Sequence, residues 1–287
     1  MATIGGPINP MRYPQLLPSI LSLPYVFMSD TWIQFFSYAI CLLFPTCIIL
    51  TCLTIFDKYP LSSFLAVAIL FLWPIQKFVH YSGYADIPVT TIGFMAAAAV
   101  IWGYQESDSV KRKCLILAAI FLGGSGALKQ AGLLLLVCFP LIIWEFQSLK
   151  FQDSKLKINT ILKLIFLVLF FTLPWNIYNI YLIDIGENFS NIQYVTEDIH
   201  SGRSLFERFI AANKKHPGLL IFTILAAPGL WVAQNRSISF FGILFSLVWM
   251  VYFSYDAKNF YLAIPFLGFS IGLSFQKLIL DKYNILR

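Results

Sequence analysis

Long apolar runs follow one another through this chain with only short polar breaks between them, and no other feature limits its fold so strongly. A helix needs about 20 apolar residues to cross a bilayer, with about 17 tolerated. Runs of that order occur at Thr31 to Phe56, Leu61 to Gln76, Ile87 to Gln105, Ile161 to Ile183, Pro217 to Gln234, Ile238 to Tyr255 and Phe260 to Gln276. With 59% hydrophobic and 12% charged residues and a mean hydropathy of +0.75, a soluble domain of 287 residues is excluded. The expected fold class is an all-α integral membrane protein, one polytopic unit over residues 1–287 without a soluble domain.

The net charge of +6 does not point to nucleic acid, because Lys and Arg sit in short loops between the apolar runs. A topology signal explains them. The stretch Cys114 to Trp144, interrupted by Lys129 and Gln130, is long for one crossing and short for two. One crossing would put Lys150, Lys155, Lys157 and Lys163 on the opposite side from Lys111, Arg112 and Lys113, whereas two bring both clusters to the inner face. The count is then about nine: an outer-face segment at 1–30, six crossings over 31–183, an outer loop at 184–216 and three crossings over 217–287. The outer loops gather Asp86, Glu187, Glu197, Asp198 and Asp256. Nine crossings with an inner C-terminus place Met1 outside, yet residues 1–30 hold neither an export signal nor a spanning run. The expectation is a transmembrane helix missing upstream.

Smaller features fit this scheme. The five cysteines, Cys41, Cys47, Cys52, Cys114 and Cys138, lie in apolar segments without metal-type spacing and read as small core residues. In Ser204 to Asn213, the residues Leu205, Phe206, Phe209 and Ile210 share one helical face, which predicts a short interfacial helix in the outer loop. Gly123-Gly124-Ser125-Gly126 lacks the lysine of a phosphate loop and reads as close helix packing.

Asp86 is a lone carboxylate where one apolar run ends and the next begins. Acids that persist beside membrane segments mark functional mouths or wet cavities. Its surroundings, Ala85-Asp86-Ile87-Pro88, are one of several stretches, together spanning most of the chain, that resemble the multi-spanning C-class glycosyltransferases of the protein O-mannosyltransferase and lipid-A aminoarabinose transferase superfamily. Tyr13-Pro14-Gln15-Leu16-Leu17-Pro18 looks like that family's segment after its first outer loop. Gly126 to Gly132, with Lys129 at its centre and Pro140 beyond, resembles its Lys-Gly-Pro hairpin, and Pro174-Trp175-Asn176 its Pro-Trp-Tyr closing a helix before a large outer segment. Tyr255 to Tyr261 resembles its late Arg-containing stretch, with Lys258 in place of Arg. Family members carry their main catalytic acid in the first outer loop, and residues 1–12 here contain no Asp or Glu. The chain thus resembles the family without its first helix and that acid, so a second chain supplying the helix is among the expected partners.

The resemblance implies transfer of a sugar from a polyprenyl-phosphate carrier to a lipid, glycan or protein acceptor on the outer face of a bacterial plasma membrane. An inverting transfer needs a base for the acceptor hydroxyl and positive charge for the leaving phosphate. Asp86 is the candidate base; Lys129 and Lys258 are candidate ligands of the lipid phosphate. Tyr13, Asp256 and His80 are supporting candidates, the last toward a divalent metal ion that would act as cofactor.

Each has a plainer use. Asp86 caps the helix opening at Ile87-Pro88, Lys129 snorkels, Lys258 anchors at the interface beside Asp256, and His80 is one interfacial side chain. Trp144 and Trp175 near run ends read as interfacial belt residues. A transporter or flippase would need charged groups at mid-membrane or paired broken helices, and neither stands out apart from the Lys129 hairpin. A catalytically inactive membrane scaffold is the remaining alternative.

Overall fold

The computed structural model describes residues 30–55, 57–72, 86–103, 106–128, 132–137, 139–148, 158–184, 203–216, 218–232, 236–253, 260 and 262–276. Among them there are helices and no strands. In chain order they are α1 (Asp30–Ile55), α2 (Pro60–Leu72), α3 (Asp86–Gly103), α4 (Asp108–Leu128), α5 (Leu133–Leu136), α6 (Phe139–Ser148), α7 (Ile158–Asp184), α8 (Leu205–Lys215), α9 (Gly218–Ala226), α10 (Arg236–Val248) and α11 (Ile264–Phe275). A 3₁₀ turn, Ala227–Trp231, extends α9, and a π turn, Trp249–Phe253, ends α10. Two helices continue through a proline, α1 through Pro45 and α7 through Pro174. Near the latter, Asn176 Nδ2 donates to the Thr172 carbonyl at 2.7 Å. The Pro-Trp-Asn motif lies inside its helix, and α7 runs on to Asp184, as the apolar run Ile161 to Ile183 leads one to expect.

Close contacts fix the relative directions of several helix pairs. Gly268 faces Leu65 and Ala66 while Gly272 faces Leu61 and Ser62, so α11 and α2 are antiparallel. Their seam closes with Gln276 Nε2 donating to the Lys58 carbonyl at 3.1 Å. Trp249 meets Phe260 and Phe241 meets Phe266, which sets α10 antiparallel to α11. Gly229 meets Ser239, and the Thr223 and Ser246 hydroxyls lie 2.6 Å apart, so α9 is antiparallel to α10. Gly123 packs on Val168 and Gly126 on Thr172, which makes α4 and α7 parallel. Parallel neighbours require the chain to run back between them, through α5 and α6. The basic residues Arg112 and Lys113 thus share an end of the bundle with Lys163, and Arg236 joins them through its 4.7 Å stacking on Trp144.

The seams are made by small residues. A methyl group at Gly272 would stand 2.5 Å from the Ser62 Cα and one at Gly268 2.8 Å from the Leu65 carbonyl, so backbones touch there. Gly268 and Gly272 form a Gly-x-x-x-Gly pair, the spacing that puts two glycines on one helix face. At Gly123 the distance is 2.9 Å to the Val168 carbonyl, whereas nothing lies within 4 Å of Gly124. The Gly-Gly-Ser-Gly run therefore packs through its first and last glycines. Buried hydroxyls bridge neighbouring helices: Ser270 Oγ donates to the Ala226 carbonyl and Thr172 Oγ1 to the Gly123 carbonyl, at 2.7 and 3.2 Å. In an apolar setting such donors find their acceptors on the next helix.

The outside of the bundle is apolar. On α1, Leu42, Leu43, Leu50 and Leu53 are exposed; on α7, Phe166, Phe170, Leu162 and Ile177; on α9, Ile221 and Ile224. A water-soluble monomer rarely exposes contiguous patches beyond a few hundred Å². Exposed tryptophans gather at the basic end, Trp102 closing α3, Trp144 late in α6 and Trp231 closing the 3₁₀ turn. Trp144 fits the belt role expected for it; the side chain of Trp175 is not described. Counting only described residues, no helix is long and apolar enough to cross a membrane. End to end, α1 and α7 are 26 and 27 residues, or about 40 Å at 1.5 Å per residue. Of the cysteines, Cys52 is buried and Cys47 and Cys114 are half-buried free thiols, while the side chains of Cys41 and Cys138 are not described.

Candidate functional site

Opposite the basic end, several chain segments meet. Asp86 is the first residue of α3, and two turns later Gly93 stands against Leu135 of α5 and Phe266 of α11. Phe94 stacks edge-on with Phe266, ring centroids 5.6 Å apart. These contacts tie the start of α3 to the chain reversal after α4 and to the start of α11. Thr90 and Thr91, in the first turns of α3, are buried, and Thr91 Oγ1 donates to the Phe44 carbonyl of α1 at 3.2 Å.

The reversal itself is built around Ser125 and Gly132. Ser125 Oγ lies 2.6 Å from the Leu122 carbonyl and 3.3 Å from that of Gly132. A Cβ at Gly132 would overlap the Ser125 backbone, so the returning strand of chain passes against α4 with no room for a side chain. Lys129 falls between the two ends of this reversal, Leu128 and Gly132, and lies outside the described residues. Lys258 and Asp256 fall between Phe253, which ends the π turn, and Phe260, and also lie outside them. So do His80 and Tyr13, and of Asp86 the backbone alone is described. The structure therefore packs α3, seven residues past Asp86, against Leu135 of α5 and Phe266 of α11, while the side chains of Asp86, Lys129 and Lys258 lie outside the described residues.

A third group at this end comes from α8. Ser204 caps the helix: its hydroxyl accepts from the Glu207 N–H at 3.3 Å, and the Glu207 carboxylate accepts from the Ser204 N–H at 2.7 Å. This capping box, with Arg203 nearby, holds the Glu207 carboxyl below its usual range. Beyond the helix, the His216 ring meets Trp249 edge-on at 5.5 Å, and Asn213 Nδ2 donates to the Phe209 carbonyl at 2.8 Å. Trp249 in turn packs on Phe260 at 5.4 Å, so α8, the π turn and the start of α11 share one aromatic stack. The face of α8 turned to the bundle carries Arg208 and Ala212, both buried, and Arg208 Nε donates to the Arg203 carbonyl at 3.1 Å.

The helix expected over Ser204 to Asn213 is present as α8. The four apolar residues do not act together: Phe209 packs on the core, while Leu205, Phe206 and Ile210 are exposed. Arg208 is buried on the side of α8 turned to the bundle. Arg208 and His216 are thus residues of this end that sequence reasoning missed. Their one visible signal is a break in amphipathic order, a cation on the edge of an apolar face. Among the described residues no group of three or more His, Cys, Asp or Glu could hold a metal ion.

No protein-family model and no curated protein matches the chain. Solved structures do. A crystal structure of ArnT from Cupriavidus metallidurans bound to undecaprenyl phosphate superposes on 96% of this chain with a TM-score of 0.59 at 16% identity. The chain has the fold of that part of ArnT. The apo crystal structure of the same protein gives a TM-score of 0.56 at 15% identity, again over 96% of this chain. This chain spans 52% and 51% of the two ArnT chains, about half their length.

Proposed function

We propose that this protein is a membrane glycosyltransferase, or a section of one, that transfers a sugar from a polyprenyl-phosphate carrier to an acceptor on the outer face of a bacterial plasma membrane. The observation that carries this reading is the fold shared with ArnT, a C-class lipid-A aminoarabinose transferase whose structure holds undecaprenyl phosphate. Two further features support it independently. The bundle exposes leucine and phenylalanine along its sides, with basic residues and tryptophans at one end, as a protein with that end at the cytoplasmic surface does. At the other end, the part of α3 that follows Asp86 packs against Leu135 and Phe266, which come after Lys129 and Lys258 in the chain.

In this reading Asp86 takes the proton of the acceptor hydroxyl as it attacks the anomeric carbon, and the carbon–oxygen bond to the carrier phosphate breaks. Lys129 and Lys258 neutralise the phosphate that leaves with the lipid. Arg208, on the inner face of α8, is a further cation at this end. Asp256 and Tyr13 support the same mouth.

Two assays on the full protein in its native membrane test the proposal. The first measures retention of undecaprenyl phosphate by native mass spectrometry, with undecaprenol, which lacks the phosphate, as control. The parent is expected to retain the phosphate lipid selectively, and Lys129→Ala and Lys258→Ala to weaken that retention about tenfold or more. The second measures transfer of label from a polyprenyl-phosphate-sugar fraction. Asp86→Asn is expected to slow it by roughly 10² to 10⁴ while leaving lipid retention intact. Equal retention of the alcohol and the phosphate would end the carrier-lipid reading, and transfer at the parental rate by Asp86→Asn would remove Asp86 from the mechanism.

A further inference from the structure

Arg236, the first residue of α10, is held on two sides by elements distant from each other in the chain. Its Nε donates to the Leu230 carbonyl at 2.9 Å, and its guanidinium lies over the Trp144 ring of α6, 4.7 Å from the ring centroid. The carbonyl that it uses is itself fixed. Gly229, beside Leu230, packs on the hydroxyls of Ser239 and Ser270 with no room for a side chain. Ser270 Oγ in turn lies 2.7 Å from both the Ala226 carbonyl and Ser239 Oγ, which ties the 3₁₀ turn to α10 and α11. The plane and direction of the guanidinium are thus set by α6, the 3₁₀ turn and α10 together.

A guanidinium carries five N–H donors in a fixed fork. Among the described residues, Arg236 commits only the Nε donor: no carboxylate pairs with it, and its two terminal nitrogens donate to no group. Two tryptophans flank it. Trp144, on which it stacks, is 52% exposed, and Trp231, next after Leu230, is 77% exposed. Their indole N–H groups donate to no described group either, whereas that of Trp102, at the same end of the bundle, donates to the Glu106 carboxylate at 3.1 Å. A planar fork locked in orientation with its terminal donors open matches a phosphate through two parallel hydrogen bonds, which a freely rotating loop cation does not. Indoles at the membrane surface set the depth of such a group at that of the lipid headgroups. Beside the turn, Ile221, Ile224 and Leu225 of α9 are exposed, so an apolar surface runs away from the fork along that helix.

We propose that Arg236, Trp144 and Trp231 form a binding site for the phosphodiester of an inner-leaflet anionic phospholipid, with the terminal guanidinium nitrogens on two phosphate oxygens and the acyl chains along α9. This rests on the membrane location in the reading above and not on sugar transfer, and the site stands at the end of the bundle opposite Asp86. Free phosphate shares the headgroup's chemistry, but it has no use for the apolar surface beside the fork.

The test is retention of phosphatidylglycerol by the full protein, delipidated in detergent and followed by native mass spectrometry, with diacylglycerol, which lacks the phosphate, as control and inorganic phosphate as competitor. The parent is expected to hold phosphatidylglycerol about tenfold more firmly than diacylglycerol. Arg236→Lys keeps the charge and loses the fork, and is expected to weaken that retention about tenfold, nearly as much as Arg236→Gln. Because both changes also loosen the basic end, Trp231→Ala gives a second reading: its side chain is largely exposed, so retention is expected to fall about threefold with the unfolding midpoint unmoved. Retention by Arg236→Lys or Trp231→Ala equal to that of the parent reduces the site to unspecific charge and overturns the proposal. Displacement of the lipid by inorganic phosphate makes the free anion the ligand and overturns it as well. Retention gained only in Glu145→Gln makes the carboxylate next to Trp144 the occupant of the fork, with the same consequence. Loss of undecaprenyl phosphate retention with phosphatidylglycerol retention intact ends the carrier reading and supports this site; the converse overturns this site alone.

Discussion

Replacing Gly272 by alanine puts one methyl group into the tightest described contact between α2 and α11. The new Cβ would lie 2.5 Å from the Ser62 Cα and 2.7 Å from the Leu61 carbonyl oxygen. Ordinary van der Waals contact begins near 3.4 Å, so the two backbones must part by roughly 1 Å, and no side chain can rotate aside to absorb this. Overpacking of this kind costs about 1–3 kcal/mol. The better helix propensity of alanine offsets less than about 1 kcal/mol of it. For a chain of this size a net loss near 2 kcal/mol lowers the midpoint of thermal unfolding by about 4–8 °C. Gly268→Ala, at 2.8 Å from the Leu65 carbonyl, acts on the same seam. Once the first methyl has parted the helices the second meets less resistance, so the double variant loses less than the sum of the singles. Gly124→Ala is the control: nothing lies within 4 Å of its position, and it is expected to leave the midpoint unchanged or raise it slightly. The assay is thermal unfolding of the purified protein in one detergent, followed by solvent access to the buried Cys52 thiol. A Gly272→Ala protein as stable as the parent would show that the seam is looser than this geometry requires.

Other positions carry equally definite expectations. Arg236 donates to the Leu230 carbonyl at 2.9 Å and stacks on Trp144 at 4.7 Å, so Arg236→Leu should destabilise the basic end by about 1–2 kcal/mol, and Arg236→Lys should recover at most part of that loss, both measured by thermal unfolding. Thr223→Val leaves the buried Ser246 hydroxyl without its 2.6 Å partner and should cost about 1 kcal/mol, while adding Ser246→Ala should restore part of it by double-mutant cycle. The Glu207 carboxyl sits below its usual range because the ionised form accepts two bonds from Ser204, so its contribution to α8 is complete above the unfolded carboxylate range and is lost as pH falls through the lowered folded value. Hydrogen exchange of residues 205–215 should accelerate in that acid window, and Ser204→Ala, which removes the cap at a cost of about 1 kcal/mol, should accelerate it at neutral pH as well.

The sequence by itself determined the class of the fold and much of its outline, because the decisive quantity is local. Runs near the length of a bilayer, each bounded by Lys, Arg or Trp, specify helices wherever they stand, and the helices at Asp86–Gly103 and Ile158–Asp184 follow their runs to within a few residues. The break at Lys129 could be weighed for the same reason, since grouping the basic loops favoured a reversal there, and the parallel packing of α4 on α7 requires the chain to run back between them. The family resemblance, carried by short stretches around Asp86, Lys129 and Pro174, pointed to the fold this chain shares with part of ArnT.

Tertiary structure decided what depends on partners distant in the chain. Nothing local distinguishes Gly123, which touches the Val168 backbone, from Gly124, which touches nothing. The pairing of Gly268 and Gly272 with Leu61–Ala66 crosses nearly the whole chain, and a glycine spacing alone cannot name its neighbour. α7 continues through Pro174 to Asp184, since the bonds on either side of one lost hydrogen bond hold the helix together. On α8, sequence periodicity identified the apolar face but not its orientation: the bundle took Arg208 and Ala212 and left Phe206 and Ile210 facing out. Periodicity measures the angle between side chains around one axis, and only packing against other helices turns that axis toward a particular neighbour.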